Sequence, residues 1–274
     1  MSNLYQKIAS FFSFVFGIPF FEKFNRFLLI LSLRNLGYGF DFAGNKSGEI
    51  PSLSKGEEKY IKYIKSQNLA IVVDVGASKG NFSERFLSQE SVSVFAFEPV
   101  ESSFKVLKAM QGKYENLVCE NFAVGNFNGA MNLWVSENNT ELSTLSKEVS
   151  EFGLAKKINQ SPILTQVVTL DTYFKNLRSR IDLLKIDTEG FELEVLAGAQ
   201  ELLRNLPPRF IQVENSRSNL LRGSSLYQIA SQLKRYEVFQ ISPGGVNGLR
   251  KVASHAFDAN IFLYSNFLFK SLEP

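Results

Sequence analysis

The stretch VVDVGASKGNFSERF, residues 72–86, places an acidic residue and two glycines between an apolar run and a helix-like run. The apolar residues around Asp74 are typical of a central parallel strand, which is buried on both faces. Gly76 allows a ligand to approach the backbone closely, and Gly80 allows a helix to begin close to the strand. The stretch therefore predicts a strand, a tight ligand-binding turn and a helix.

The spacing of the glycines separates two classes of ligand. A dinucleotide-binding turn follows the pattern G-x-G-x-x-G. Counted from Gly76, that pattern requires glycine at positions 78 and 81, where the chain has Ser78 and Asn81. The turn therefore favours a nucleoside ligand without a pyrophosphate. An NAD(P)-dependent oxidoreductase of the Rossmann type remains the alternative function, which a cofactor-binding titration would test.

A second acidic residue strengthens the nucleoside interpretation. Glu98 lies 22 residues after Gly76, at the end of the apolar run VSVFAFE, residues 92–98. A carboxylate at that strand end can accept hydrogen bonds from both hydroxyls of a ribose. Asp74, at the end of the preceding strand, can accept from an ammonium group, directly or through water. A ligand with a ribose and a cationic amino acid end, but no phosphate, is S-adenosylmethionine.

The exit of the third strand completes the predicted cofactor site. Its sequence ENFAVGN, residues 120–126, would border the adenine of S-adenosylmethionine. The residues predicted to bind the cofactor are Asp74, Gly76, Ala77, Ser78, Gly80, Glu98, Asn121, Phe122, Ala123 and Asp187.

The composition restricts the size of the domain and the kinds of partner, disulfide and metal site that the chain can have. The 274 residues are 45% hydrophobic, which is enough for one large α/β domain with an extension. The 30 basic and 27 acidic residues give a net charge of +3, so the charge provides no argument for a nucleic-acid partner. The single cysteine, Cys119, excludes an internal disulfide and fits a cytoplasmic location. One cysteine and one histidine also exclude a His/Cys metal cluster.

The first 56 residues form a phenylalanine-rich extension. Residues 1–42 contain 10 of the 26 phenylalanines. The apolar runs at residues 11–21 and 27–33 are shorter than the roughly 20 residues of a membrane-spanning helix. We expect one or two helices that dock on the domain and cover a ligand site or a homodimer face. The alternative is a peripheral helix on a membrane surface, which would bring the chain near a lipid-linked substrate.

From residue 70 onwards, strand patterns alternate with helix patterns, which is typical of a doubly wound α/β sheet. The longest predicted helix covers residues 190–206. The polar stretch at 136–161 is long enough to be a lid or a binding loop, and we expect it to be mobile without ligand and to order over an acceptor. Strands are predicted at residues 71–75, 92–98, 116–124, 129–137, 162–170, 181–187, 209–215, 237–242 and 259–265.

Six motifs resemble the FkbM-like family of S-adenosylmethionine-dependent methyltransferases. In chain order they are VVDVGASKGNFS, VFAFEP, ENFAVGN, VVTLDTYF, IDLLKIDTEGFELEVLAGA and FIQVEN. The resemblance covers residues 57–214 well and is most specific at residues 183–199. It implies a class I methyltransferase domain over residues 57–274, with a Rossmann-like, doubly wound, seven-stranded sheet and a reversed last strand. It also implies that the chain methylates a hydroxyl of a sugar, a glycan or a related small metabolite.

Candidate catalytic residues follow the fourth core strand. The motif KIDTEG places Asp187 and Glu189 at the ligand crevice outside the strand ends. We expect Asp187 to orient the acceptor hydroxyl or to take its proton. Glu189 either contacts the substrate or stabilises the N-terminus of the following helix. His255, in a polar loop before the last strand, is a further candidate for the general base.

A metal-assisted reaction is the alternative at the same strand ends. Glu214 and Asn215 end the fifth core strand and reach the rim on which Asp187 lies. The three residues resemble the acid, acid and amide set that binds magnesium in catechol-type O-methyltransferases, and oxygen ligands suit Mg²⁺. Because Glu214 stands where those enzymes usually have aspartate, a metal-free reaction remains open.

N-methylation and a loss of catalytic activity are two alternatives to O-methylation. Amide and base N-methyltransferases of this fold carry a D/N-P-P-Y/F motif after the fourth strand, and this chain lacks it, which argues against methylation of a nucleobase or an amide nitrogen. A catalytically silent, methyltransferase-like binding protein is the other alternative. The intact acids Asp74, Glu98 and Asp187 argue against such a loss of activity.

Overall fold

The computed structural model describes residues 55–135, 143–152, 162–252 and 265–273. The N-terminal extension up to residue 54, much of the polar stretch at 136–161 and the loop that contains His255 lie outside these ranges. The predicted role of His255 and the predicted docking of the extension therefore stay predictions. Within the described ranges, no helix combines the length and apolar character needed to cross a membrane.

The elements follow the predicted alternation of strands and helices. In chain order they are α1 (Lys55–Lys65), β1 (Ile71–Val75), α2 (Glu84–Leu87), β2 (Ser93–Phe97), α3 (Glu101–Gln111), β3 (Leu117–Glu120), β4 (Ala123–Val124), β5 (Gly129–Leu133), α4 (Lys147–Phe152), β6 (Ile163–Val168), α5 (Leu170–Tyr173), β7 (Leu183–Ile186), α6 (Glu192–Ala197), α7 (Gln200–Asn205), β8 (Phe210–Asn215), α8 (Arg217–Leu221), α9 (Leu226–Gln232), β9 (Tyr236–Val246), β10 (Leu249–Lys251) and β11 (Ser265–Ser271).

The main sheet has eight strands in the order β10-β9-β11-β8-β7-β1-β2-β3. The five strands from β8 to β3 in this order are parallel to one another. β11 runs antiparallel to both β8 and β9. The structure confirms the Rossmann-like, doubly wound sheet and its reversed last strand. The antiparallel pairing of β10 with β9 adds an eighth strand to the seven predicted.

Core packing on both faces of the sheet explains its continuous apolar strands. Val73 and Val75 of β1 pack in one core cluster, and Val72 packs in the other. In β7, Leu184 and Leu183 divide between the clusters in the same way. Parallel strands covered on both faces bring their carboxyl ends to one edge of the sheet, where a ligand crevice forms.

Two strand predictions need correction. The predicted strand at 116–124 divides between two sheets, because β3 pairs with β2 while β4 pairs with β6 in a three-stranded sheet of order β4-β6-β5. The described last strand is Ser265–Ser271. It begins where the predicted strand at 259–265 ends, and residues 259–264 lie outside the described ranges.

The prediction of one continuous helix at 190–206 was wrong, because the chain divides into α6 and α7 at Gly198. A Cβ atom on Gly198 would lie 2.0 Å from the carbonyl oxygen of Gly125, so the two backbones are in contact there. The carboxylate of Asp171 then accepts hydrogen bonds from two backbone N–H groups in the first turn of α7, at 3.0 and 2.8 Å. Contacts with distant residues therefore decide where this helix is interrupted.

Candidate active site

The turn after β1 is held between the ends of β2 and β7. The backbone N–H groups of Gly76 and Ala77 donate to the carbonyl oxygen of Phe97, at 3.0 and 2.9 Å. Gly76 has a φ of +76°, and a Cβ atom there would lie 1.8 Å from the carbonyl oxygen of Asp187. Only glycine fits such a position. The predicted cofactor turn therefore lies directly against the segment that carries the predicted catalytic acids.

Gly80 also occupies a position that excludes a side chain. It has a φ of +89°, and a Cβ atom there would lie 2.8 Å from Cδ1 of Leu107. Leu107 belongs to α3, whereas the sequence suggested that Gly80 serves the contact between β1 and the helix that follows it. The glycine therefore allows α3 to pack against the turn.

Glu98 connects the turn to the end of β2 by hydrogen bonds. Its two carboxylate oxygens accept hydrogen bonds from the backbone N–H groups of Ser78 and Val100, at 2.8 and 2.7 Å. Ser78 has a φ of +50°, an uncommon left-handed conformation that this hydrogen bond stabilises. Burial raises the pKa of Glu98 to about 7, although both backbone hydrogen bonds act in the opposite direction. A carboxylate has about four lone-pair positions, so capacity remains for the hydroxyls of a ribose.

The exit of β3 lies beside Glu98. The side-chain amide of Asn121 donates to the backbone carbonyl oxygens of Glu98 and Pro99, at 2.9 and 3.3 Å. Phe122 is half-buried, whereas the side chain of Ala123 is buried in a core cluster. Asn121 is thus held beside the carboxylate predicted to bind ribose, and Ala123 can offer a ligand little beyond its backbone.

Lys185 links the predicted cofactor side of the site to the predicted catalytic side. Its Nζ lies 3.2 Å from Oδ1 of Asp74 and 3.1 Å from Oδ2 of Asp187, and it donates to the carbonyl oxygen of Gly76 at 3.3 Å. Burial lowers the pKa of Lys185, but the charges of Asp187 and Asp74 outweigh this effect and hold the pKa above its ordinary value. The sequence analysis missed Lys185. The available signal was a lysine inside the apolar strand motif IDLLKID.

Asp74 is completely buried. Its Oδ2 accepts a hydrogen bond from Oγ of Ser83 at 2.7 Å, and its Oδ1 lies beside Lys185. Asp74 therefore supports the turn from inside the protein. Its predicted contact with a ligand ammonium group stays a prediction.

Glu192 shapes the loop after β7 and was also missed by the sequence analysis. Its Oε1 accepts from the backbone N–H and Oγ1 of Thr188 and from the backbone N–H of Gly190, at 2.9, 3.0 and 3.2 Å. The amide of Asn219 donates to its Oε2 at 2.6 Å. The loop contains φ values of +52° at Glu189 and +100° at Gly190. Glu192 is the first residue of α6. It stabilises the loop from which this helix starts, which is the role that the sequence suggested for Glu189.

Three carboxylates converge at the carboxyl ends of β7 and β8. One oxygen from each of Asp187, Glu189 and Glu214 lies within 4.8 Å of the other two. Glu189 also accepts a hydrogen bond from Oγ of Ser218 at 2.7 Å. Burial raises the pKa of Glu214 well above its usual range, and the charges of Asp187 and Glu189 raise it further. We call these three residues the acid cluster.

The membership of the acid cluster differs from the predicted metal set of Asp187, Glu214 and Asn215. The third carboxylate is Glu189, which the loop conformation brings beside Glu214. Asn215 follows Glu214 within β8 and lies opposite Ser265 of β11 in the sheet register. Successive side chains of a strand point to opposite faces of the sheet, and the predicted part of Asn215 in a metal site stays a prediction.

The start of α1 contributes a further acid near the site. Burial raises the pKa of Glu57, while the charges of Arg85 and Lys185 lower it and that of Asp187 raises it. Glu57 is therefore electrostatically coupled to Lys185 and Asp187. Nothing in the sequence pattern had indicated a role for Glu57.

The described part of the polar stretch contacts the loop after β7. Thr144 forms an antiparallel bridge with Trp134, and its Oγ1 donates to the backbone carbonyl oxygen of Glu189 at 2.9 Å. Glu148 of α4 forms an ion pair with Arg222 at 3.3 Å. Residues 143–152 are therefore attached to the acid cluster side of the site. The predicted ordering of the whole stretch on ligand binding stays a prediction.

The doubly wound sheet, the glycine turn after β1 and the acid at the end of β2 together define the fold class of Rossmann-like methyltransferases. The family described as Methyltransferase FkbM domain matches residues 74–237, more than half of the chain. The chain belongs to this family and is an S-adenosylmethionine-dependent methyltransferase. Membership of this family excludes the alternative that the chain is an NAD(P)-dependent oxidoreductase.

Known proteins that resemble the chain include a relative found by sequence and several solved structures. The 2-O-methyltransferase NoeI of Sinorhizobium fredii (strain NBRC 101917 / NGR234) is 25% identical over 195 residues, which cover 65% of this chain and 76% of NoeI. An S-adenosylmethionine-dependent O-methyltransferase of Thermotoga maritima is 14% identical, with a TM-score of 0.37 and coverage of 80% of this chain and 66% of that one. Precorrin-6y C5,15-methyltransferase of Geobacter metallireducens GS-15 is 10% identical, with a TM-score of 0.40 and coverage of 79% and 88%. Because both TM-scores are below 0.5, the family match alone supports the assignment.

Proposed function

We propose that this chain transfers the methyl group of S-adenosylmethionine to a hydroxyl of a sugar or glycan. The observation that carries the proposal is the position of the acid cluster, which lies beside the cofactor turn and at neighbouring strand ends. The similarity to a 2-O-methyltransferase supports an oxygen as the methyl acceptor. A hydroxyl must lose its proton during methylation, and the cluster supplies carboxylates where that proton would leave.

The cofactor side of the site is built from β1, β2 and the exit of β3. We expect Glu98 to accept hydrogen bonds from the ribose hydroxyls, since both of its oxygens are held in place by backbone N–H groups. The backbone of Gly76 and Ser78 provides the surface against which the nucleoside lies. Asn121 and Phe122 border the adenine.

The reaction is an in-line displacement at the sulfonium methyl group. The acceptor oxygen forms a bond to the methyl carbon while the carbon–sulfur bond breaks and its electron pair stays on sulfur, which gives neutral S-adenosylhomocysteine. The acceptor oxygen must be held about 3 Å from the methyl carbon for this step. The hydroxyl proton passes to a carboxylate of the acid cluster.

Asp187 is the member of the cluster best placed for the proton. Its side chain is 30% exposed, whereas Glu214 is 5% exposed. Its backbone carbonyl touches the cofactor turn at Gly76, and Lys185 fixes its carboxylate at 3.1 Å. Glu189, on the neighbouring loop, would contact the acceptor. His255 remains the other proposed base.

The remaining partners follow from the sequence. The nearly balanced charge and the missing N-methyltransferase motif favour a small-molecule or glycan acceptor over nucleic acid. The phenylalanine-rich extension is proposed to contact a membrane surface or a second copy of the chain. The single cysteine fits a cytoplasmic location.

The full-length chain is incubated with methyl-labelled S-adenosylmethionine and with carbohydrate, nucleic-acid and protein fractions of the source cells. Mass spectrometry then locates the label. We expect label on a hydroxyl in the carbohydrate fraction, and little label with Asp187→Asn. The exposed substitution Glu201→Gln, whose side chain is 63% exposed, is the matched control and should label normally. Label confined to nucleic acid or protein would refute the proposed acceptor.

A further inference from the structure

The acid cluster concentrates negative charge in a confined space. Asp187, Glu189 and Glu214 each place one oxygen within 4.8 Å of the others. Carboxylates this close cannot all remain ionised unless a cation lies among them. A fourth acid, Glu192, adds to the negative potential, and its oxygens are fully used in shaping the loop.

Glu214 provides a second, independent indication of a ligand. Its side chain is buried, and its Oε2 accepts no hydrogen bond from any residue that the structure describes. Buried polar atoms in native proteins nearly always have a partner, and an orphaned one indicates an ion or a water molecule at that place. Glu214 also gives one carboxylate oxygen to the cluster, so an ion bound there would lie against the same carboxylate that lacks a partner.

Among the described residues, Lys185 and Arg222 are basic side chains near the cluster, and both already form ion pairs. Lys185 pairs with Asp74 and Asp187 on the cofactor side. Arg222, whose Cγ lies beside Gly190, pairs through its guanidinium with Glu148 and Glu194. Neither has an ion pair with Glu214. The described protein cations therefore leave Glu214 without a counter-ion.

We propose that the acid cluster binds one divalent cation of the Mg²⁺ class through oxygens of Asp187, Glu189 and Glu214. Hard divalent cations prefer oxygen ligands, and Mg²⁺ usually keeps several waters beside one or two carboxylates. The proposal rests on the proposed function, because the cation would hold the acceptor oxygen and lower the pKa of its hydroxyl. It replaces Asn215 of the predicted set with Glu189.

Mn²⁺ is the probe, because its electron paramagnetic resonance signal falls when the ion binds protein. Full-length protein is titrated with Mn²⁺ in the presence and absence of S-adenosylhomocysteine. We expect one Mn²⁺ per chain, displaced by Mg²⁺. Glu189→Gln and Glu214→Gln should each lower the Mn²⁺ affinity at least tenfold, because each removes a charged ligand. Asn215→Ala and the exposed control Glu201→Gln should bind Mn²⁺ like the unmodified chain.

The thermal unfolding midpoint without metal verifies that each variant is folded. Glu214→Gln replaces a buried carboxyl group, whose pKa is raised, by an uncharged amide of the same shape, so its midpoint should stay close to that of the unmodified chain. A chain that binds S-adenosylhomocysteine but no Mn²⁺ overturns the cation site and leaves the proposed methyl transfer standing. Unchanged Mn²⁺ affinity in Glu189→Gln and Glu214→Gln also overturns it. Mn²⁺ binding at the cluster without any binding of S-adenosylhomocysteine supports the site and argues against the proposed function.

Discussion

Lys185 and Asp74 lie side by side on β7 and β1, with Nζ and Oδ1 3.2 Å apart. Both side chains are almost completely withdrawn from solvent, at 9% and 0% exposure. The same Nζ lies 3.1 Å from the carboxylate of Asp187. One buried cation therefore holds an acid beneath the predicted cofactor turn and an acid on the proposed acceptor side, so the two halves of the proposed site share a support.

Lys185→Met tests this support. The change keeps a long side chain but leaves the carboxylate of Asp74 buried without its cation. Breaking a buried ion pair on one side costs about 3–5 kcal/mol, and we expect a loss of that size in the free energy of unfolding. Urea denaturation measures it. The double change Lys185→Met with Asp74→Asn should recover part of the loss, and a single variant as stable as the unmodified chain would contradict the expectation.

Gly76→Ala tests the contact between the cofactor turn and the loop after β7. The added Cβ would lie 1.8 Å from the carbonyl oxygen of Asp187, so the turn must move. Gly223→Ala is the matched control, because Gly223 has a similar φ of +69° with no heavy atom within 4 Å of the added Cβ. The control should lose about 1–2 kcal/mol from its left-handed conformation alone.

We expect Gly76→Ala to lose clearly more stability than the control and to lose affinity for S-adenosylhomocysteine at least tenfold. Urea denaturation and calorimetry measure the two effects. Equal losses of stability in the two variants would contradict this expectation. They would show that the left-handed conformation of Gly76, and not its contact with the carbonyl oxygen of Asp187, causes the loss.

Glu98 should make cofactor affinity depend on pH. Ribose hydroxyls donate hydrogen bonds, so they favour the ionised carboxylate of Glu98, whose pKa burial raises to about 7. Affinity should therefore rise as pH rises through that value and level off above it. At a pKa of about 7, roughly one-tenth of the carboxyl is ionised at about pH 6, so S-adenosylhomocysteine should bind about tenfold more weakly there than at about pH 8.

Calorimetry across this pH range measures the effect, and Glu98→Gln is the control. The variant should bind weakly with a flatter pH profile, because its amide does not titrate. The same slope in the variant would assign the pH dependence to the amino group of the ligand and remove Glu98 from the ribose site.

Asp187→Asn should affect turnover more than cofactor binding. Removal of a proton acceptor typically costs a factor of about 10²–10⁴ in rate, and we expect a loss in this range for kcat. The affinity for S-adenosylhomocysteine should stay within about threefold, because Lys185 keeps its pair with Asp74. Kinetics with the identified acceptor and calorimetry measure the two quantities. Full activity in this variant would move the search for the base to Glu189 and His255.

Much of this fold can be read from short segments of the sequence. The apolar run at Ile71–Val75, the glycine turn and the acid at position 98 were predicted at their observed places, because strand burial and turn conformation depend on neighbouring residues. The reversed last strand came from the family resemblance, and its described residues are Ser265–Ser271.

The sequence by itself determined the alternation of strands and helices and the chemical type of residue at each core strand end. Only the tertiary structure decided which of these residues meet. Lys185 is a single polar residue in an apolar strand until β7 pairs with β1 and places it beside Asp74. Glu189 reaches Glu214 only because Glu192 fixes the loop and β8 lies next to β7. Strand adjacency depends on the energy of the whole packed sheet, so no local pattern specifies it.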